Sequence, residues 1–293
     1  MELAMTLPTM LPQTREQTIA WIRAIDEGPW SSLAVPERVT YTSHSLTVQT
    51  AAAAALTERV RLWTTIVILP AHDAVQVAKD MASIDVLSAG RLTLGIGVGG
   101  REHDYRAVGA PFDRRWQRMD DQIAVMRRIW AGEPPFEGAD PVGPPPVQAG
   151  GIPLIAGSAG PKALARAARW AAGVDDPTMI ASVSAEAAVG AIDRIRAAWS
   201  EAGRPDAPHL STSIWYALGD GAADRLRGYV GDYMRIMGEP VADYMAGAAN
   251  IHTPEALREA VQVCADAGYD ELILVPTTAD PDELSRTRDV LGV

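Results

Sequence analysis

The residues of greatest chemical interest follow a short apolar segment. Residues 92–96 predict a buried strand, which runs directly into a glycine-rich turn at residues 97–100, the first glycine turn. Glycines at the carboxyl end of a strand let the backbone approach a flat or anionic ligand closely, because no Cβ intervenes. In α/β barrels and open α/β sheets, that end of the strands carries the active site. The alternative is a strand that ends in an ordinary glycine turn without a ligand.

A second turn of the same kind occurs later in the chain. The apolar residues 153–156 precede the sequence GSAG at residues 157–160, the second glycine turn, and Pro161 then suits the first turn of a helix. Unpaired N–H groups at a helix start, together with the Ser158 hydroxyl, form a natural site for a phosphate group. The alternative is that Ser158 only caps the helix.

Arginines near these turns are candidates to neutralise a bound phosphate. Arg101 directly follows the first glycine turn and is favoured, because a guanidinium can donate two parallel hydrogen bonds. Arg115 and Arg118 could do so from the next helical segment. Each of the three could instead be a solvated or ion-paired surface residue.

Strand and helix patterns alternate along the whole chain. The strand patterns lie at residues 2–7, 31–35, 60–69, 92–96, 153–156, 210–218 and 271–275, with a weaker one at 178–181. Helical spacing of apolar residues occurs at 13–27, 75–87, 114–130, 161–172, 185–202, 222–237 and 254–268. This alternation predicts parallel strands with right-handed crossovers, and eight such units predict a (β/α)8 TIM barrel. A doubly wound sheet is the alternative.

Two connections interrupt the alternation without dividing the chain, so we expect one barrel domain over residues 1–293. Residues 131–152 are rich in Pro and Gly, which predicts an irregular excursion. Residues 219–250 form a second excursion with several Tyr and Met side chains. These side chains suit either a helix core or one wall of an apolar pocket.

Composition removes several classes of function. The net charge of −11 argues against nucleic-acid and anionic-membrane partners, and no apolar run is long enough to span a bilayer. Glu2 and the lack of a basic amino-terminal region indicate no signal peptide, and the lone Cys264 suits a reducing cytoplasm. No His, Cys, Asp or Glu spacing indicates a metal site. Nucleophile-elbow and P-loop motifs are also absent from the sequence.

The segment RLWTTIVILPAHDAVQVAKDMASIDVLSAGRLTLGIGVGG resembles the bacterial luciferase-like family of flavin-dependent oxidoreductases. FDRRWQRMDDQIAVMRRIWAGE and PVQAGGIPLIAGSAGPKALARAARWAAG are similar to the family's following helix, strand and anion-binding turn. The resemblance covers residues 31 to about 173, and more loosely the later AGYDELILVP. It implies a TIM-type barrel, a homodimer, and either a flavin or the deazaflavin F420 at the strand carboxyl ends.

The resemblance also implies which residues hold the cofactor. The family supports the flavin ring on the strand that here contains Thr64, Thr65 and Ile66, often with a non-proline cis peptide at the position of Thr65–Ile66. The expected cofactor-binding residues are Thr64, Thr65, Ile66, Gly97, Val98, Gly99, Gly100, Arg101, Gly157, Ser158, Ala159 and Gly160.

The catalytic acid–base group is the point at which this chain departs from the family. Where the family often has Glu-His, this sequence has Glu37-Arg38, and an arginine cannot titrate near neutrality. His103 is therefore the first candidate for a proton shuttle, followed by His44 and His72. Glu37 and Arg38 remain candidates because of their position, with Arg38 limited to orienting or neutralising an anion.

The leading hypothesis is a flavin-dependent oxidoreductase or monooxygenase that uses reduced FMN on a small organic substrate, with a separate flavin reductase as a partner. FMN is favoured because the resemblance is to the broad flavin class. An F420-dependent hydride transfer is the alternative. A non-catalytic flavin-binding barrel is a further alternative, because Arg38 replaces the histidine. A phosphate-binding aldolase or isomerase is disfavoured, because Lys79 and Lys162 both fall in helix patterns.

Overall fold

The strands close into a barrel. The computed structural model describes residues 1–8 and 10–293, in which eight parallel strands pair in sequence order and β8 pairs with β1. The strands are β1 (Glu2–Thr6), β2 (Ser32–Val35), β3 (Arg61–Ile68), β4 (Leu92–Gly97), β5 (Leu154–Gly157), β6 (Gly173–Asp176), β7 (His209–Tyr216) and β8 (Glu271–Pro276). The predicted (β/α)8 TIM barrel is confirmed, and the doubly wound sheet is wrong.

Helices surround the barrel. They are α1 (Arg15–Glu27), α2 (Leu46–Leu56), α3 (Ala74–Leu87), α4 (Glu102–Ala107), α5 (Arg115–Trp130), α6 (Pro161–Ala167), α7 (Ala185–Glu201), α8 (Ala222–Met234), α9 (Glu239–Ala248), α10 (Pro254–Ala267) and α11 (Asp282–Leu291). Five of them begin at a side chain that accepts a hydrogen bond from an N–H of the first turn. These caps are Thr14, Ser45, Asp73, Ser184 and Thr253.

The sixth strand differs from its prediction. The weak strand pattern at residues 178–181 is wrong, because a short 3-10 helix (Pro177–Met179) overlaps it and β6 lies just before it. β6 has the sequence GVDD, which carries one apolar side chain and therefore no strand pattern. A Cβ on Gly173 would overlap the backbone oxygen of His209, so the close approach of β6 to β7 requires glycine here.

The two expected excursions differ from each other. Residues 131–153 contain no helix or strand. Residues 219–250 are mostly helical instead, because α8 and α9 occupy them with a short 3-10 helix (Arg235–Met237) between. The helix predicted for 222–237 ends earlier, at Met234. The sequence patterns do not predict α2, α4, α9 or α11.

The barrel interior changes from charged to apolar along its axis. At the amino-terminal end of the strands, Glu271 is fully buried and accepts hydrogen bonds from Ser31, Ser32 and Arg61, while His209 lies 3.4 Å away. Burial alone would raise the pKa of Glu271, but the hydrogen bond with His209 and the charge of Arg61 outweigh it and lower the pKa to about 2.

Above this charged layer lies an apolar one. It consists of Ala4, Ala34, Trp63, Ile155 and Ile273, all of them buried. The apolar layer separates the ion pair from the opposite end of the barrel, where the strand carboxyl ends meet. The two ends of the barrel therefore present different chemistry.

Replacement of Arg61 by alanine tests the buried ion pair. Because Arg61→Ala leaves the buried Glu271 carboxylate with less compensation, we expect the free energy of unfolding at pH 7 to fall by about 3–5 kcal/mol. Glu271 contributes stability above its usual pKa of 4.5. The difference between the two proteins should therefore shrink as the pH falls from 4.5 towards 2. Denaturant unfolding at several pH values measures both effects.

Arg15 provides the matched control, because its ion pair with Glu16 is exposed. Arg15→Ala should change the free energy of unfolding by less than about 1 kcal/mol. Equal losses in the two variants would contradict the assignment.

Candidate functional site

A cavity of about 570 Å³ opens at the carboxyl end of the barrel. Its lining combines both glycine turns with inward-facing residues of the strands. The expected cofactor-binding residues that line it are Thr65, Ile66, Val98, Gly99, Gly100, Gly157, Ser158, Ala159 and Gly160. The structure thus brings together nine residues that the sequence placed in three separate segments.

Ile66 lies between the two glycine turns. A Cβ added to Gly97 would be 2.5 Å from Ile66 Cδ1, and one added to Gly157 would be 2.8 Å from Ile66 Cγ2. Glycine at these two positions therefore leaves the space that the Ile66 side chain occupies. The Thr65–Ile66 peptide bond is cis, as the resemblance implies. Thr64 differs from its neighbours, because it is fully buried and its Oγ1 donates to the Gly95 carbonyl at 3.0 Å.

The second glycine turn carries a buried hydroxyl without a partner. Ser158 is 7% exposed, and its Oγ makes no hydrogen bond with the described residues. A Cβ added to Gly160 would meet no atom within 4 Å, so the backbone beside this hydroxyl is open. Pro161 begins α6, as predicted. An unpaired buried hydroxyl is costly unless a ligand satisfies it, and a phosphate oxygen would do so.

The arginines expected to neutralise a phosphate make contacts outside the cavity, although Arg101 Nε and Nη1 and Arg115 Nε have no hydrogen-bond partner among the described residues. Arg101 donates from Nη2 to the Thr40 carbonyl at 3.2 Å. The guanidinium of Arg115 lies 4.0 Å from the centroid of the Phe112 ring, and Arg118 donates to backbone carbonyls that include that of Pro111. None of the three arginines lines the cavity.

Glu37 faces a different part of the molecule from the cavity. Its Oε2 accepts from the Ile68 N–H at 2.6 Å, and its Oε1 lies 2.9 Å from His72 Nε2. Both side chains line a separate small cavity of about 120 Å³. The hydrogen bond with Glu37 raises the pKa of His72 despite burial. Glu37 and His72 therefore form a pair that holds β2 against the end of β3.

Arg38 lies behind one wall of the cavity. It is 9% exposed, its Nη2 donates to the Tyr233 carbonyl at 2.9 Å, and its guanidinium lies 3.4 Å from the centroid of the Tyr233 ring. These contacts position Tyr233, which itself lines the cavity. His44 and His103 are exposed and do not line the cavity. His103 lies in the short helix α4.

Aromatic and methionine side chains form the wall opposite the glycine turns. Trp215 meets Tyr233 edge-to-face with ring centroids 5.0 Å apart, and Tyr229 stacks on Tyr233 at an interplanar angle of 19°. Met234 and Met245 complete the wall. Of the side chains in residues 219–250 that suited either a helix core or a pocket wall, Tyr229, Tyr233, Met234 and Met245 pack against a buried cluster and also line the cavity, whereas Met237 and Tyr244 are exposed.

Sequence reasoning missed one carboxyl group in the cavity, that of Asp175 on β6. Burial raises the pKa of this group to about 7, the neighbouring charge of Asp176 adds to the rise, and a hydrogen bond from Ser211 opposes it. Strand alternation could have revealed it, because Gly173 and Asp175 share one face of β6. The missed boundaries of β6 hid this signal.

The described residues contain no group of three or more His, Cys, Asp or Glu that could hold a metal ion. No helix within residues 1–8 and 10–293 is long and apolar enough to cross a membrane. The chemistry available at the cavity is therefore that of backbone amides, hydroxyls, one carboxyl group and an apolar wall.

Comparison with known proteins places this arrangement in a family. The family model described as luciferase-like monooxygenase matches residues 1–288. The chain belongs to this family. It is therefore a luciferase-like enzyme, and members of the family are monooxygenases or oxidoreductases.

Among curated relatives, an uncharacterized protein of Mycobacterium tuberculosis is 34% identical over 120 residues, which are 39% of this chain and 42% of that protein. The matched segment thus spans less than half of the length of that relative.

Solved structures show the same fold. A monooxygenase from Streptomyces bottropensis has a TM-score of 0.77 at 21% identity, covering 99% of this chain and 97% of that one. An F420-dependent secondary alcohol dehydrogenase in complex with an F420-acetone adduct has a TM-score of 0.77 at 19% identity, covering 99% of both chains. The oxygenating constituent of 3,6-diketocamphane monooxygenase from Pseudomonas putida, in complex with FMN, has a TM-score of 0.74 at 16% identity, covering 99% and 96%.

Replacement of Glu37 by glutamine tests whether Glu37 acts on His72. In Glu37→Gln the negative charge is lost, so we expect the raised pKa of His72 to fall towards its usual value of 6.5. An NMR titration of the imidazole signals measures this pKa directly.

Glu137→Gln is the control, because Glu137 is exposed in the loop between α5 and β5. This variant should leave the His72 titration unchanged. If His72 titrates identically in wild type and Glu37→Gln, the pairing of Glu37 with His72 is contradicted.

Proposed function

We propose that the chain is a flavin-dependent oxidoreductase or monooxygenase that binds reduced FMN in the cavity and acts on an apolar organic molecule. The observation that carries the proposal is the unpaired Ser158 hydroxyl, buried in a glycine turn that adjoins Ile66 in the lining of the same cavity. Structural relatives of this fold are named as complexes with FMN or with an F420 adduct, which supports a cofactor of this type.

The two glycine turns would bind different parts of the cofactor. Ile66 and the first glycine turn would support one face of a flat ring. Gly97 leaves room for the Ile66 side chain, and a Cβ on Gly100 would meet no atom within 4 Å, so the backbone there is open to a ring. Ser158 and the amides of the second glycine turn would hold the phosphate. When bound, the cofactor would supply hydride transfer or the activation of dioxygen, which the protein's own side chains cannot perform.

The remaining wall sets the nature of the substrate. Trp215, Tyr229 and Tyr233 present aromatic surface, and the two methionines adapt to irregular apolar shapes. Such a wall excludes water and favours a small apolar molecule stacked beside the cofactor. Because reduced FMN must be regenerated, a separate flavin reductase is part of this proposal.

The choice of FMN over F420 rests on the arginines. The acidic tail of F420 would need cationic side chains at the cavity, and none of Arg101, Arg115 and Arg118 lines it. FMN needs only the single phosphate site that the second glycine turn offers. Titration with each cofactor therefore distinguishes the two.

Bulky substitutions in the second glycine turn test the proposal. Ser158→Leu and Gly160→Leu should each weaken FMN binding by about tenfold or more, a loss of about 1.4 kcal/mol, because they fill the phosphate site. Quenching of flavin fluorescence measures the affinity. A parallel titration with F420 assigns the cofactor class.

The exposed Ser200 on α7 provides the matched control, and Ser200→Leu should bind FMN like wild type. Unchanged titration curves for both turn variants would remove the turn from the cofactor site. Wild-type protein that binds neither cofactor would contradict the proposed function as a whole.

A further inference from the structure

We propose that Asp175 is the catalytic acid and base of the cavity, the group that exchanges a proton with the bound substrate. This proposal rests on the proposed function and adds a residue to it. It starts from the contents of the cavity wall. Arg38, which stands where the resemblance implies a histidine, lies behind that wall against Tyr233.

Few side chains in the cavity wall can exchange a proton. Of the described residues that line the cavity, Asp175 is the only one with a carboxyl or imidazole group, and the other titratable side chains are Tyr229 and Tyr233. Burial raises the pKa of Tyr229 far above neutrality. The Tyr233 ring is held from behind by Arg38. His44, His72 and His103 do not line the cavity.

The surroundings of Asp175 leave its carboxyl group without a strong partner. Ser211 Oγ approaches Asp175 Oδ1 at 3.4 Å, and that hydroxyl also donates to the Val174 carbonyl at 3.3 Å. No arginine or lysine forms an ion pair with Asp175 among the residues that the structure describes. The carboxyl group is therefore free to exchange its proton with a ligand.

Charged groups on the neighbouring elements act in opposite directions. Asp176 on the same strand and Glu271 on β8 favour the protonated form of Asp175, whereas His209 on β7 favours the carboxylate. Arg61 on β3 reduces the influence of Glu271, because the two form an ion pair. On β5, the facing residue is Gly157, which carries no charge. Together with burial, these effects raise the pKa to about 7, which suits proton exchange in both directions near neutrality.

The electron acceptor can be dioxygen or an organic carbonyl, and the transfer of electrons and protons is the same for both. The acceptor gains two electrons and two hydrogens when the reduced cofactor is oxidised. When bound, the reduced cofactor would supply both electrons and one hydrogen as a hydride, so that a C–H or O–H bond forms on the acceptor. The second hydrogen reaches an acceptor oxygen as a proton from Asp175, whose O–H bond breaks. The resulting carboxylate takes a proton from water, and in the reverse direction it acts as the base.

Two measurements on Asp175→Asn test this role. The first uses ligand-free protein: infrared difference spectra over pH 5–9 should show a carboxyl group in wild type that titrates near 7 and is missing from the variant. The second uses FMN: the variant should bind FMN within about threefold of wild type. Its bound, chemically reduced FMN should be reoxidised by dioxygen about tenfold more slowly or worse, without the wild-type inflection near pH 7.

Two further variants make the result specific. Asp220→Asn changes the net charge equally at an exposed position and should retain both wild-type signals. Ser211→Ala removes the hydrogen bond that favours the carboxylate, so the inflection should move to higher pH. That shift distinguishes titration of Asp175 from a general loss of packing.

The failure of this proposal is distinguishable from that of the proposed function. If wild type and Asp175→Asn bind FMN alike and both keep the same pH profile of reoxidation, only the role of Asp175 is overturned. The same conclusion follows if the infrared signal near pH 7 persists in Asp175→Asn. If wild type binds neither FMN nor F420, the proposed function fails and this proposal fails with it.

Discussion

The contact of Ile66 with two glycines determines the shape of the barrel mouth. The Ile66 side chain occupies space that a Cβ on Gly97 or Gly157 would fill, so β3, β4 and β5 approach one another only because both residues lack side chains. This contact places the apolar Ile66 side chain between the two glycine turns, and both turns line the same cavity as Ser158 and the aromatic wall.

The barrel separates three kinds of chemistry along its axis. The charged layer around Glu271 lies at the amino-terminal end, where burial makes an unpaired charge costly and where the ion pair with Arg61 is retained. The apolar layer around Trp63 lies next to it. Asp175 lies at the open end without an ion-pair partner. The pKa of Asp175 is raised to about 7, so this carboxyl group can exchange protons near neutral pH. The pKa of Glu271 is lowered to about 2, so that group remains ionised.

The sequence predicted those parts of the structure that depend on local patterns. The strand–helix alternation predicted the barrel, and both glycine turns lie in the wall of one cavity. The segment GVDD of β6 has no strand pattern, because its inward face carries a glycine and an aspartate, so Asp175 was missed. The directions of long side chains also escaped prediction. Arg38 and Arg101 follow cavity-lining residues closely in the sequence. Their guanidinium groups nevertheless pack against Tyr233 and the Thr40 carbonyl.

A crystal structure of the protein soaked with FMN, with a parallel soak in F420, tests the cofactor site most directly. We expect a ring lying on Ile66 between residues 97–100 and 157–160. We also expect a phosphate oxygen within hydrogen-bond distance of Ser158 Oγ, and an aromatic wall that is still open to substrate. A cofactor bound outside this cavity, or a phosphate held at Arg115 or Arg118 while Ser158 stays unpaired, would contradict it.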